Sequence, residues 1–444
     1  MKMTSSRRIG LAMILLSGGI SLLWGFYLGQ TGNGWADFRA VYYGSRCLME
    51  HHDPYKVSDL EDVYRAEKGA PPYETKNAHQ AVTLYVNVPT TFVLVAPFAL
   101  LPWGPAHLLW IAFTTGVFFL AAILMWDIGA RYAPGVSTVL TCILLINCES
   151  LFVAGNTAGI TVGLCIVAVW CFVEERFVVA GVLCLGLSLA MKPHDGGLVW
   201  LYFLLASTAF RKRALQSLSI TAVLGLTAYL WISHVAPHWM QEWRFNLWTI
   251  AQPGGINEPG PNSLTGRSSA MVIDLQAAIS VFRNDPRIYN PVSYVVCGAL
   301  LLAWAVRTLA RSSSRLQVWV GLAAVTALTM LVTYHRPWDA KLLLLTIPAC
   351  AMLWAGGRRL GWIAVLVNGA GMVLTGDTFL AILANIAQML HVGTAGLAGK
   401  LLTVALIRPA SLILLAMAIF YLWVYMRPGP AEGVSSAGHE GRVS

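Results

Sequence analysis

The residues best suited to chemistry lie in four polar segments, and the first of them, 35–43, surrounds an aspartate with aromatic side chains. Asp37 lies just outside the first apolar run of the chain. An acid in such half-buried, apolar surroundings tends to have a raised pKa, which suits proton transfer. An amphipathic helix at a membrane surface with a solvated aspartate would show the same spacing, so both interpretations stay open.

The second segment, 191–195, lies between two long apolar runs and contains Lys192, His194 and Asp195. Charged residues at the end of a membrane span are costly, and by default they mark a functional site. Lys192 could bind a phosphate as a compact point charge. A lysine that extends its ammonium group along an apolar surface to water gives the same pattern.

The third segment, 257–267, is rich in Gly, Pro and Asn and ends at Arg267. Turns present backbone N–H groups, amide side chains such as that of Asn262 bind sugar hydroxyls, and arginine binds phosphate through two hydrogen bonds. Taken alone this pattern is weak, because many surface loops have the same composition.

The fourth segment, 334–341, is a short loop between two strongly apolar runs and is dense in polar side chains. Arg336 offers contacts to a phosphate, Trp338 a stacking face and His335 a hydrogen bond. A turn in the aromatic belt of a membrane protein, with charges that reach the interface, is the competing interpretation.

Sequence motifs for metal ions and nucleotide cofactors are missing. The pair His51-His52 resembles a metal site in composition, but adjacent histidines point in different directions, and Asp53-Pro54 favours a turn. The sequence contains no zinc-ligand spacing, P-loop, dinucleotide-binding turn, HExxH motif or nucleophile elbow. We therefore expect no cofactor and no metal ion, and activity that persists in excess EDTA.

The elements that position these segments are membrane-spanning helices. Of the 444 residues, 57% are hydrophobic and 11% are charged, whereas a soluble domain carries roughly a quarter charged residues. Apolar runs longer than about 18 residues recur along the chain and predict an all-α, polytopic bundle of about 11–13 spans. The net charge of +9 lies in short clusters between these runs, which argues against nucleic-acid binding.

The basic clusters also give the orientation, because cytoplasmic loops carry an excess of Lys and Arg. We expect a multi-pass protein of the plasma (inner) membrane with a cytoplasmic N-terminus. The polar loops 29–80, 235–288 and 334–339 would then lie on the outer face. Residues 1–426 would form one transmembrane domain, and the Gly-, Ser- and Pro-rich tail 427–444 a disordered cytoplasmic segment.

If every apolar run crossed the membrane, the basic clusters could not all lie on the cytoplasmic side. We therefore expect that two of the runs do not cross. Prolines such as Pro97 interrupt the run 82–101, so we expect a re-entrant or broken helix there, which is tolerated where it lines a protein cavity. The run 378–398 could lie in the membrane interface. The alternative is that Arg131 or Arg176 faces outward.

Taken in order, these segments resemble the glycosyltransferases of family 87, which are GT-C membrane enzymes that include polyprenyl-phosphate-mannose-dependent mannosyltransferases. The resemblance covers about 30–410 and depends on the order of short motifs. Asn156 stands where the family usually has glutamine. The matching positions are Asp37-Phe38, Tyr42-Tyr43, Asp53-Pro54-Tyr55, the segment 97–102 with Trp110, Gly155-Asn156, the segment 190–193, Asn262-Ser263-Leu264 with Arg267, and His335.

The resemblance implies a GT-C-type bundle whose outer loops carry short interfacial helices. It also implies an inverting transfer of a hexose, mannose by family default, from a polyprenyl-phosphate donor to a lipid or glycan acceptor on the outer face. Asp37 is implied as the general base. The residues implied to bind the donor are Lys192, Arg267, His335, Arg336, Asn262 and Arg39, with Tyr43, Asn156, His194 and Asp339 in supporting positions.

Two other function classes compete with this hypothesis. A secondary transporter or a flippase for lipid-linked sugars would favour charges in the middle of spans and repeated halves, whereas here the charges collect at span ends. A non-catalytic membrane scaffold would have no use for an acid set among aromatic side chains. In each case membrane lipids are the immediate partners.

Overall fold

The computed structural model describes residues 5–30, 34–67, 85–261, 272–310 and 314–427. These residues form α-helices and one short 3₁₀ helix, with no β-strand among them. The all-α bundle predicted from composition is therefore confirmed. The helices are α1 Ser5–Gly29, α2 Ala36–Met49, α3 Val57–Ala66, α4 Pro89–Ala99, α5 Trp103–Ala130, α6 Pro134–Ile146, α7 Glu149–Ala154, α8 Ala158–Val173, α9 Val178–Met191, α10 Pro193–Ala206, α11 Thr208–Val235, α12 Trp239–Ala251, α13 Leu275–Phe282, α14 Pro286–Ala310, α15 Arg315–Val332, the 3₁₀ helix Asp339–Leu345, α16 Thr346–Gly356, α17 Arg358–Leu374, α18 Asp377–Met389, α19 Gly396–Ile407 and α20 Pro409–Met426.

Long apolar helices make this a multi-pass membrane protein. Within the described ranges, 7 helices are long and apolar enough to cross a membrane, or up to 8 if the bent pair Arg359–Leu374 and Asp377–Met389 is one span. Their outer faces carry large exposed apolar side chains such as Leu23, Val223 and Leu302, as expected of helices in lipid. Shorter apolar helices would have to supply the other spans, so the total of 11–13 stays a prediction.

The short helix α4 occupies the place where a broken or re-entrant helix was expected. Its 11 residues span about 16 Å, roughly half of the ~30 Å hydrocarbon layer. Pro102 then separates it from α5. A second break lies between Leu374 and Asp377, where the chain bends by 72°, just before the run 378–398 that could lie in the membrane interface.

Ion pairs join several helix ends on one side of the bundle. Arg7 in α1 pairs with Asp127 in α5, and Arg131 pairs with both Asp127 and Glu174 at 2.8 Å. Arg315 at the start of α15 pairs with the same Glu174. These three arginines, the basic belt, therefore lie together, which removes the alternative that Arg131 faces the opposite side from Arg7.

The helices that flank the 334–338 loop are the innermost spans. In the most apolar 18-residue stretch of α15, 78% of the residues are buried inside the protein, and in Asp339–Gly356 the share is 83%. The other described spans reach at most 61%. The loop between them is therefore held at the centre of the bundle. Its polar side chains lie inside protein rather than against lipid.

Helix α4 holds the end of α9 through two hydroxyl groups. The side chain of Thr90 donates to the carbonyl of Ala190, and that of Thr91 donates to the carbonyl of Met191 at 3.0 Å. The last carbonyls of a helix have no partner within the helix, and Pro193 opens α10 without an N–H of its own. The two threonines therefore fix the backbone that carries Lys192.

We expect the substitution Thr91→Val to lower stability by about 1–3 kcal/mol, because it keeps the shape of the side chain but leaves a buried carbonyl unsatisfied. Thermal unfolding in detergent measures the change. Thr227→Val is the matched control, since Thr227 is exposed and donates only to the preceding turn of its own helix. Equal melting temperatures for the two variants would contradict this role of α4.

Candidate active site

Asp37 lies in the first turn of α2, on a helix whose other face is packed with aromatic rings. Trp35 adopts a left-handed conformation (φ 66°), and its N–H donates to the carbonyl of Val153 at 2.6 Å. The ring of Phe38 stacks on that of Trp110, with centroids 4.7 Å apart. The helix is thus fixed in rotation, and the predicted aspartate is held inside the protein rather than free at a membrane surface.

The turn after α7 presents an amide to Asp37. Gly155 has φ 61° there, and a Cβ atom on it would lie 2.9 Å from the Cβ of Phe38, so only glycine fits. The side chain of Asn156 donates from Nδ2 to Asp37 Oδ2 at 2.5 Å, and its Oδ1 accepts from the N–H of Ala158 at 2.8 Å. Because both ends of the amide are engaged, its orientation is set by the network.

The pKa of Asp37 is raised by burial, while the hydrogen bond from Asn156 and the positive charges of Arg336 and Lys192 act to lower it. Asp339 raises it further. A carboxyl group with a raised pKa that keeps a hydrogen bond to its charged form is suited to accept a proton. Because Arg336 and Lys192 both act on the pKa of Asp37, the three segments that carry these residues lie close together.

Removal of the side-chain amide of Asn156 should change how activity depends on pH. If Asp37 must be ionised to act, activity falls as pH drops through its pKa. Asn156→Ala removes an interaction that lowers this pKa, so the acidic limb of kcat/KM should move to higher pH. Asn156→Gln keeps an amide donor and should give a limb closer to that of the wild type. An unchanged acidic limb in Asn156→Ala would argue against Asp37 as the titrating group.

Lys192 joins two buried carboxylates. Its Nζ contacts Asp339 Oδ1 and lies 3.5 Å from Asp195 Oδ2, and both aspartates are fully buried. The Oγ1 of Thr161 donates to Asp195 Oδ2 at 2.9 Å. Lys192 therefore ties the junction of α9 and α10 to the start of the 3₁₀ helix, instead of extending to water as the competing interpretation had it.

The 334–338 loop is folded around Asp339 and Arg336. Asp339 Oδ2 accepts from the N–H of Arg336 at 2.8 Å. The guanidinium of Arg336 lies 5.5 Å from the ring centroid of Tyr334 and 5.3 Å from that of Trp338. Contacts to these two aromatic rings hold this cation in place beside the site.

The two described ends of the second polar loop, 235–288, both contact the 334–338 loop. Arg336 Nη2 donates to the carbonyl of Ile256 at 2.8 Å and to Asn257 Oδ1 at 3.1 Å. On the other side of the loop, the N–H of Ile273 donates to the carbonyl of His335 at 2.9 Å. The predicted donor-binding residues Asn262 and Arg267 lie between these anchors, outside the described residues.

His194, Asp195 and His335 bring their side chains together next to Lys192. The Nε2 atoms of the two histidines lie 3.6 and 3.7 Å from Asp195 Oδ1, and the two imidazole rings pack edge to face with centroids 5.1 Å apart. These are the histidine and carboxylate side chains of the described residues that could hold a metal ion.

Two predicted residues lie in contacts that stabilise the α2 region. Arg39 donates to the carbonyl of Gly34 at 3.1 Å and lies over the ring of Trp103. The ring of Tyr43 packs against those of Tyr64 and Trp103, with centroids 4.9 and 6.0 Å away. Their predicted roles at the donor stay predictions.

The sequence analysis named Asp195 in the second polar segment but gave it no role, and it did not identify Thr161. Lys192 and Asp195 are three positions apart at the start of a helix, a spacing that allows an ion pair, and this could have indicated Asp195. Thr161 lies within an apolar helix, and its hydroxyl gave no signal of its own.

Comparison with known proteins supports a single family. The sequence profile of glycosyltransferase family 87 matches residues 85–334, a range that contains Asn156 and Lys192 but ends before His335 and does not reach back to Asp37. No curated protein matches the chain, and no solved structure matches it. Since the match covers more than half of a chain whose long apolar helices span a membrane, this protein belongs to glycosyltransferase family 87 and is a membrane glycosyltransferase.

Proposed function

We propose that this enzyme transfers a hexose, with mannose as the first candidate, from a polyprenyl-phosphate donor to a hydroxyl group of a lipid or glycan acceptor, with inversion at the anomeric carbon. Family membership supports a lipid-linked donor in general. The observation that carries the proposal is Asp37, a half-buried carboxylate with a hydrogen bond from Asn156 and the cations Arg336 and Lys192 close enough to act on its pKa.

The proposed reaction is a single displacement. Asp37 accepts the proton of the acceptor hydroxyl while that oxygen forms a bond to the anomeric carbon of the sugar. The bond between this carbon and the phosphate oxygen breaks, and its electron pair leaves with polyprenyl phosphate. One displacement inverts the anomeric configuration, and no covalent enzyme intermediate is needed because the donor brings its own leaving group.

Negative charge develops on the departing phosphate, and cations placed in advance stabilise it. We assign this task first to Arg336, whose guanidinium group can bind phosphate through two hydrogen bonds. Lys192 adds positive potential, but it is paired with Asp195 and Asp339. We therefore propose it chiefly as a positioning residue that keeps the loop of Arg336 in place.

The proposed site faces outward. The positive-inside rule places the basic belt in the cytoplasm, together with the start of α1. The 25 residues of α1 cover about 38 Å, enough to cross the bilayer, and Asp37 follows soon after the other end. The N-terminus would thus be cytoplasmic and the site would lie on the outer face of the plasma membrane.

Cysteine labelling tests this orientation. The eight native cysteines are buried or half-buried, so a new cysteine in the second polar loop, Ser263→Cys, can be labelled with little background. We expect an impermeant maleimide to react with it in intact cells. Labelling only after the cytoplasmic side is opened would overturn the topology, without bearing on the reaction.

The donor class is tested with the purified protein in liposomes. Radiolabelled mannose or glucose is offered either as a polyprenyl phosphate or as a nucleotide sugar, together with extracted membrane lipids and glycans as acceptors. We expect label to enter the acceptor from polyprenyl phosphate, with inverted anomeric configuration. Transfer from the nucleotide sugar alone, or retention of configuration, would contradict the proposal.

A further inference from the structure

Three buried atoms that can each offer a lone pair lie close together beside Lys192. In the part of the chain that the structure describes, His194 Nε2, Asp195 Oδ1 and His335 Nε2 are buried and make no hydrogen bond. Asp195 and His335 are fully buried, and all three atoms lie within 4.8 Å of one another. Buried polar atoms without a partner are rare and costly, so their convergence requires an explanation.

The tautomer of His335 makes the lack of a partner for its Nε2 atom more costly. Its Nδ1 lies 2.8 Å from the carbonyl oxygen of Thr333, and because a carbonyl can only accept, Nδ1 carries a proton. In the neutral ring the lone pair is then on Nε2, the nitrogen that lies 3.7 Å from Asp195 Oδ1. Two acceptors face each other at 3.7 Å, which is unfavourable unless a positively charged species lies between them.

The distances favour an occupant larger than a shared proton. Direct hydrogen bonds between nitrogen and oxygen measure about 2.7–3.2 Å, whereas the two gaps to Asp195 Oδ1 measure 3.6 and 3.7 Å. Around a tetrahedral ion with bonds of about 2.0–2.1 Å, neighbouring ligand atoms lie roughly 3.4 Å apart. Small side-chain shifts would bring the three atoms to such a geometry.

The surroundings of the three atoms resemble the support that metal ligands receive in proteins. The second oxygen of Asp195 accepts from Thr161 Oγ1 at 2.9 Å and lies 3.5 Å from Lys192 Nζ. The far nitrogen of His335 is held by a backbone carbonyl. Such outer contacts fix the orientation and tautomer of metal-bound histidine and carboxylate groups.

Charge balance points in the same direction. The ammonium group of Lys192 contacts two acidic side chains, Asp195 and Asp339, so this buried group holds one acid more than it has lysines. Arg336 directs its guanidinium to Ile256 and Asn257 instead. A cation at the convergence of the three atoms would offset the excess.

We propose that His194, Asp195 and His335 bind one divalent transition-metal ion, with zinc as the ion that two imidazoles and one carboxylate favour. The ion joins the first turn of α10 to the 334–338 loop and holds that loop in place. Three protein ligands leave a further coordination position for water or another oxygen ligand. The sequence had given the opposite expectation, because its three ligands come from two distant segments.

The test is metal analysis of the full chain, purified in detergent with a tag that contains no histidine. We expect about one equivalent of zinc after exposure to Zn²⁺ and desalting, with loss on chelation and recovery on addition of Zn²⁺. Cobalt should replace it and give the intense visible absorption of a tetrahedral Co²⁺ site. Magnesium should not compete, since it prefers oxygen ligands.

Variants assign the ion to this site. Asp195→Asn and His335→Gln keep the approximate shape of their side chains and should each lower bound zinc to less than about a tenth of an equivalent. His238→Ala is the matched control, because His238 is exposed on the chain outside the cluster, and it should bind zinc like the wild type. Circular dichroism shows which variants are folded, and only those are compared.

Zinc should also raise the melting temperature of the wild type, since a ligand that binds only the folded state stabilises it. The rise should be absent in folded Asp195→Asn. A wild-type protein that binds no zinc or cobalt, or equal binding in wild type and Asp195→Asn, overturns the proposal. None of these readouts requires sugar transfer, so their failure would leave the proposed function untouched.

Discussion

Asp37→Asn is expected to lower kcat for sugar transfer by about 10²–10⁴-fold, the usual contribution of a general base. Asparagine keeps a side-chain oxygen that can accept the hydrogen bond from Asn156, so the fold around the site should be retained. Binding of the donor should change little, because Asp37 acts on the acceptor hydroxyl. The measurement is steady-state transfer of labelled hexose in liposomes.

The matched control for this substitution is Asp62→Asn. Asp62 is an exposed acid on α3, the neighbouring helix, and its replacement should leave kcat within about twofold of the wild type, as expected for a surface substitution. If Asp37→Asn were as active as this control while folded, Asp37 would not be the base. The acceptor proton would then have to go to another group.

Lys192→Met should cause the largest loss of stability among the site variants, because it leaves two buried carboxylates without their common partner. Removal of one member of a buried ion pair costs about 3–5 kcal/mol. We expect a lower melting temperature in detergent, a lower yield of folded protein and loss of transfer activity as the loop of Arg336 loses its support.

The double variant Lys192→Met/Asp339→Asn tests whether the unpaired carboxylates cause the loss of stability. It removes one of the unpaired charges, so part of the lost stability should return, as in a double-mutant cycle. Asp339 also accepts from the N–H of Arg336, and asparagine keeps an oxygen for that bond. If the double variant were less stable than the sum of the single changes predicts, the ion pair would not be what holds this loop.

The sequence was sufficient to predict the helical membrane fold and to name several residues that the fold brings close together. Composition alone required spanning helices, and Asp37, Asn156, Lys192 and Arg336 were each identified as candidates before their contacts were known. Costly charges at the ends of apolar runs stand out because lipid tolerates few of them. The prolines of the run 82–101 also indicated a break, but Pro97 itself lies inside α4, and the helix ends at Ala99, before Pro102.

Tertiary contacts set the features that sequence spacing could not show. Lys192 was expected to meet a phosphate, yet the fold gives it two carboxylates, one of them contributed by a distant segment. The grouping of His335 with His194 and Asp195 depends on how α10 meets the loop after α15, and no local pattern records that packing. For the same reason the sequence led us to expect no metal ion, whereas the fold suggests the site proposed above.

A single-turnover experiment with pre-bound donor tests the central claim most directly. Labelled polyprenyl-phosphate hexose is first bound to wild-type protein or to Asp37→Asn in nanodiscs, and acceptor is then added. The account predicts similar donor affinity for both proteins, rapid transfer by the wild type and transfer slowed by about 10²-fold or more in the variant. Equal rates of transfer from the bound donor would contradict the claim that Asp37 is the base of a single glycosyl-transfer site.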